Sequence, residues 1–145
     1  MPEILLAEDN PADVYLIREA LREHGVDCPM RVATDGQQVL MILSGAGPHA
    51  ATKHPALIIL DLNLPRHDGI EILQRLRETS ELCRVPVVVL TSSDSPRDRL
   101  AADRLGVTQF LRKPSSLDEF LSLGAVFKDL LEQSAAGAQH PASGV

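Results

Sequence analysis

The sequence predicts an α/β domain built on a doubly wound, five-stranded parallel sheet of strand order 2-1-3-4-5. Three observations lead there. Short leucine-rich or β-branched runs alternate with helix-patterned stretches through most of the chain, and that alternation places parallel strands between covering helices, joined by right-handed crossovers. The run at residues 57–60, Leu-Ile-Ile-Leu, is apolar at every position, as in strands covered on both faces. The length, 145 residues, fits one domain, and neither an internal repeat nor a second domain is visible.

The elements follow in order. Residues 3–7 are a short apolar strand, and 11–24 a helix whose stripe is Val14, Leu16, Ile17 and Leu21. Asn10 suits its N-cap, Pro11 its first turn and Gly25 its stop. Residues 30–33 are a second strand, and Asp35, Gly36, Gln37 and Gln38 form a capping box for a helix to about Leu43. Residues 44–55, rich in Gly, Ala, Pro and His, read as a loop or frayed helix end without an assigned role. Residues 57–61 are the third strand, and 68–71 cap a helix with Ile70, Ile72, Leu73 and Leu76 inward. Residues 85–90 are the fourth strand, 95–98 open the fourth helix, and 108–111 are the last strand. Residues 116–119 cap a final helix to about Glu132. The domain is thus expected over 3–132, with 133–145, reduced to small and polar residues, as a disordered tail.

Composition excludes several classes. A net charge of −6 and the lack of Trp argue against a nucleic-acid binder. No apolar run is long enough to span a bilayer. Met1-Pro2-Glu3 does not open a secretion signal, so a cytoplasmic location is expected. Cys28 and Cys83 form no CxxC and are too few for a disulfide framework, so they read as small, partly buried side chains. The histidines show no metal-ligand spacing.

The chemistry lies in acids at strand ends. Glu8 and Asp9 end the first strand and Asp61 ends the third. In a sheet of order 2-1-3-4-5 these strands are neighbours at the switch point, so the carboxylates converge in one crevice. Any one alone could be a helix cap or a solvated loop acid; three together repel and need a cation. Mg2+, or Mn2+, takes oxygen ligands and keeps positions for water and phosphate. Glu8, Asp9 and Asp61 suit such a metal, with Asn63 adding its backbone carbonyl. Lys113, after the fifth strand, reaches the same edge, and Thr91, ending the fourth, offers a hydroxyl. An ionised carboxylate can attack phosphorus in line and form an acyl phosphate without a general base. Asp61, leading into Leu62-Asn63-Leu64-Pro65, is the best nucleophile.

The set Glu8-Asp9-Asn10-Pro11, Leu60-Asp61-Leu62-Asn63-Leu64-Pro65 with Asp68-Gly69, Leu90-Thr91-Ser92, and Lys113-Pro114 resembles the response-regulator receiver domain, a CheY-like fold, over residues 3–132. The resemblance implies that a sensor histidine kinase phosphorylates Asp61 with Mg2+, and that the group is lost slowly to water. It implies a cis Lys113–Pro114 bond. It also implies that Phe110, at the position three before Lys113 where Tyr is frequent, follows Thr91 as a switch. Asn63, Ser92 and Ser93 flank the phosphoryl group and should influence its hydrolysis. The opening Ala-Glu-Asp-Asn-Pro-Ala-Asp-Val and the 44–55 loop are similar to stand-alone regulators that partner bacterial phytochrome kinases. With no room for an output domain, the expected output is a protein–protein contact or a phosphorelay step whose downstream partner the sequence does not name.

The last helix has an inward stripe of Leu117, Phe120, Leu121, Gly124, Phe127 and Leu131, with Leu123, Val126 and Leu130 off it. This is either a wide core stripe or a homodimer face. Three other functions compete. A phosphohydrolase with an aspartyl nucleophile normally has a second Asp two residues on, where this chain has Asn63. A flavodoxin-like cofactor site would not begin with two acids. A degenerate receiver used only for docking or dimerisation would not keep the full set of acids, Thr91 and Lys113.

Overall fold

Each strand is four or five residues of largely apolar sequence: β1 (Ile4–Ala7), β2 (Met30–Ala33), β3 (Leu57–Leu60), β4 (Val87–Thr91) and β5 (Gln109–Arg112). All pair in parallel in the order β2-β1-β3-β4-β5, as predicted. The computed structural model describes residues 3–43, 55–65, 68–79, 82–93 and 95–139. The 44–55 loop lies outside these residues except for Pro55.

Period-two alternation splits the strands between two cores. Ile4, Leu6, Leu57, Ile59, Val88 and Leu90 face helices α1 (Pro11–Glu23) and α5 (Leu117–Gln139). Leu5, Ala7, Ile58, Leu60, Val87 and Val89 face α2 (Gly36–Leu43), α3 (Gly69–Glu78) and α4 (Pro96–Arg104). The sheet is therefore covered on both sides, which is why its central strands are apolar except for Thr91 at the end of β4.

The helix boundaries follow local chemistry. The Asn10 side chain accepts from the Ala12 N–H at 2.9 Å, and Pro11 needs no donor at the first turn. The end of α1 is a Schellman turn: Gly25, with φ of 73°, donates to Arg22 O and Val26 to Leu21 O. Half of the predicted capping box of α2 forms as expected, with Gln38 N–H donating to Asp35, while the Gln38 side chain accepts from Thr34 N–H, one residue before the cap. Asp68, Ser95 and Ser116 cap α3, α4 and α5.

Several details of α5 differ from the sequence reading. The helix continues to Gln139 instead of stopping near Glu132. Adding alanine-rich residues to an existing helix is cheap compared with starting one. The tail expected over 133–145 is thus helical as far as Gln139, and 140–145 lie outside the described residues. Leu117, expected inward, is 58% exposed in the first turn. Leu130, placed with Leu123 and Val126 on a possible dimer face, is buried, and the other two are half-buried against the same core. The physical reason is that α5 packs on both the sheet and α1, so a helix covered from two directions is apolar on more than one face. Helices α1 and α5 come close together at Gly124. A Cβ there would lie 2.1 Å from the Ala20 carbonyl oxygen and 2.4 Å from His24 Cδ2, so only glycine permits this helix crossing.

Candidate functional site

Register builds the site. β1 and β3 pair from Ile4 opposite Leu57 to Ala7 opposite Leu60. The next residues, Glu8 and Asp61, emerge side by side at the carboxyl edge, where Asp61 N–H still donates to Ala7 O at 3.0 Å. On the other side, β4 ends at Thr91, whose carbonyl accepts from Lys113 N–H at 2.8 Å. Glu8, Asp61 and Thr91, at 1%, 5% and 0% exposure, are the buried polar residues among those described. Asp9, one residue further on, is exposed.

Carboxylate oxygens of Glu8, Asp9 and Asp61 lie within 4.8 Å of one another. Facing them is the Lys113 ammonium, 2.7 Å from Asp13 Oδ2, 2.8 Å from Glu8 Oε1 and 2.9 Å from Asp61 Oδ2. An ammonium has three N–H groups, so its donors are all engaged. The second oxygen of Asp61 accepts from Asn63 N–H at 3.0 Å, and the second oxygen of Glu8 from Asn10 N–H at 3.2 Å. The Thr91 hydroxyl oxygen accepts from Asn63 Nδ2 at 3.3 Å and from Ser93 N–H at 3.2 Å. With both lone pairs used, its proton remains to donate to a ligand oxygen.

The charges do not balance. Burial, reinforced by the neighbouring Asp61 charge, raises the Glu8 carboxyl to about 7 against the pull of Lys113 and the Asn10 N–H. Burial alone would lower the Lys113 ammonium, but hydrogen bonds to Asp13, Glu8 and Asp61 outweigh it and hold the group well above the ordinary lysine range. Three carboxylates, of Asp13, Glu8 and Asp61, share the Lys113 ammonium, and Asp9 stands beside them. Among the described residues the pocket is short of positive charge, and its donors are carboxylate oxygens, the ligand type a hard divalent cation requires. These residues fit a metal.

The structure brings together the predicted Glu8, Asp9, Asp61, Thr91 and Lys113. Phe110 is half-buried on β5, its ring 5.5 Å from the Arg99 guanidinium of α4. Two points differ from the sequence reading. The Lys113–Pro114 bond is trans, since no described peptide bond is cis. Prolyl bonds favour trans by roughly 0.5–1 kcal/mol, and Lys113 reaches all three acids in that form. The Asn63 side chain, expected to flank the phosphoryl group and not to bind the metal, donates to the Thr91 hydroxyl. Asp13 was missed altogether. Its signal was positional: α1 begins at the edge where β1 ends, so an acid in its first turn lies beside that edge. Among the described residues, no helix is long and apolar enough to cross a membrane.

Comparison with known proteins agrees with this arrangement. The family described as Response regulator receiver domain matches residues 4–123. Response regulator Rcp1 of Synechocystis sp. is 37% identical over 120 residues, covering 83% of this chain and 82% of Rcp1. Transcriptional regulatory protein TrcR of Mycobacterium tuberculosis is 35% identical over 119 residues, but the match covers only 42% of its length. Among solved structures, the phosphorylated cyanobacterial phytochrome response regulator RcpA superposes with a TM-score of 0.84 at 34% identity, covering 90% of this chain and 93% of that one. The Mn2+-bound form of Rcp1 gives 0.82 at 34% identity, covering 88% and 92%.

Proposed function

The chain belongs to the response regulator receiver domain family, and from that premise we propose that it is a single-domain response regulator whose Asp61 accepts a phosphoryl group from a sensor histidine kinase. In the transfer, an Asp61 carboxylate oxygen forms a bond to phosphorus as the phosphorus–nitrogen bond to the kinase histidine breaks, and that electron pair returns to the imidazole. The carboxylate is already ionised, so no base removes a proton. Lys113 donates to the developing negative charge, and the Thr91 hydroxyl donates its remaining proton to a phosphoryl oxygen. A divalent cation, Mg2+ or Mn2+, held by Glu8, Asp9, Asp61 and the Asn63 backbone carbonyl, would supply further positive charge against the phosphoryl oxygens.

The observation that carries this reading is the meeting of Asp61, Lys113 and Thr91 at one sheet edge beside acids that one ammonium cannot balance. The test is incubation with acetyl phosphate and Mg2+ followed by phosphate-affinity gel electrophoresis. The wild type should shift and Asp61→Asn should not; labelling of the variant at the wild-type rate would remove Asp61 from this role. Position 63 is Asn, so no second acid stands two residues beyond the nucleophile, which weighs against a phosphohydrolase. Slow self-dephosphorylation is the only turnover proposed. The likeness to RcpA, described as a phytochrome response regulator, supports a bacterial phytochrome as the kinase, in the cytoplasm, with output through contact with another protein.

A further inference from the structure

We propose that Asp13 is a positioning residue: a counter-ion outside the metal trio that keeps the Lys113 ammonium beside the site while a divalent cation occupies Glu8 and Asp61. This rests on the metal reading given above. Lys113 has three partners, and two of them, Glu8 and Asp61, are also members of the trio whose oxygens cluster within 4.8 Å. Asp13 is the third partner and stands outside that trio. Two cations therefore compete for Glu8 and Asp61, and each repels the other.

Asp13 resolves that competition. Its contact with Nζ, at 2.7 Å, is the shortest of the three, and both side chains are largely shielded, at 17% and 13% exposure. Shielding strengthens the pair relative to one in open water. Asp13 also sits in the first turn of α1, where the helix end favours an anion. When the trio turns to a metal, Asp13 retains the ammonium within reach of Asp61. Without Asp13, the Lys113 charge falls wholly on Glu8 and Asp61 and acts as a competitor for the metal.

The experiment is a double-mutant cycle on the full chain, titrated with Mn2+ and followed by the electron paramagnetic resonance signal of the free ion. Asp13→Asn should weaken Mn2+ binding about tenfold, the lower end of what loss of an outer-shell partner costs. In a Lys113→Met background the same change should alter it by less than about twofold, the range of independent sites. Asp13→Glu should recover much of the loss. Equal weakening in both backgrounds would mean that Asp13 acts on the metal directly, and no weakening in the wild-type background would mean that it does not act; either overturns the proposal. If the wild type itself binds no Mn2+, the metal reading falls and this inference with it. Should the Lys113 variant not fold, the Lys113 ammonium resonance in a proton–nitrogen-15 spectrum decides instead. In Mg2+ it should stay protected from solvent exchange in the wild type and be lost in Asp13→Asn. Equal protection in both would refute the positioning role.

Discussion

Replacing Asp61 with Asn should stabilise the metal-free protein and abolish its stabilisation by Mg2+. At an effective dielectric of about 20, the attraction between Asp61 and Lys113 at 2.9 Å is worth about 6 kcal/mol. The repulsions from Glu8 and Asp9, across no more than 4.8 Å, are about 3.5 kcal/mol each at the least. Repulsion therefore exceeds attraction by about 1 kcal/mol before the desolvation of a carboxylate that is 5% exposed is counted. The amide oxygen of an asparagine can keep the bond from Asn63 N–H, and Lys113 keeps Asp13 and Glu8. For a domain of this size, ~1 kcal/mol corresponds to a rise of about 3 °C in Tm. Thermal melts belong in chelator at about pH 8, where Glu8, raised to about 7, is mostly ionised. In saturating Mg2+ the order should reverse, because the wild type alone has the third carboxylate. A Tm for Asp61→Asn equal to or below that of the wild type in chelator would refute the crowded-acid reasoning.

Lys113→Gln leaves the buried carboxylates without the one ammonium that contacts them among the described residues, and should cost about 3 kcal/mol or more in chelator; urea melts should show much of this regained in Mg2+. Gly124→Ala should lower stability by about 1–3 kcal/mol, the range for overpacking, because the new Cβ would meet Ala20 and His24; equal denaturation midpoints would show that the two helices can part without cost. The folded Glu8 carboxyl titrates above its ordinary value of 4.5, near 7, so the folded state holds a proton that the unfolded chain has released. Metal-free stability should therefore fall as pH rises from about 4.5 to about 7, and Glu8→Gln should flatten that part of a Tm–pH profile in chelator.

The strand ends were readable because an apolar run that stops at an acid marks both the strand and its edge. Leu57 to Asp61 and Ile4 to Glu8 are such runs, and the chain order of alternating units fixed their adjacency. The caps were readable for a similar local reason: Asn10, Asp35, Asp68, Ser95 and Ser116 each answer unpaired N–H groups within their own turn. Asp13 was not, since its partner lies on another unit and only the packing of α1 decides where a first-turn acid stands. The burial of Leu130 likewise depends on how α5 lies against α1 and the sheet. The Lys113–Pro114 isomer turns on an intrinsic difference of roughly 0.5–1 kcal/mol, too small for sequence to settle. The end of α5 depends on helix propagation into a segment whose composition alone looked structureless.

Lys113 lies 52 positions from Asp61 and 100 from Asp13 along the chain. A ribosome delivers the acids first and their ammonium partner last. Until β5 adds to the edge of β4, the nascent β1–β3 pair carries its carboxylates with only solvent cations to screen them. Docking of the final βα unit is thus the event that neutralises the earliest one, and it couples the two ends of the chain through charge as well as through the contact of α1 with α5. A fragment cut before Lys113 would keep the acids and lose their ammonium, so its folding should depend on divalent salt far more steeply than that of the whole chain.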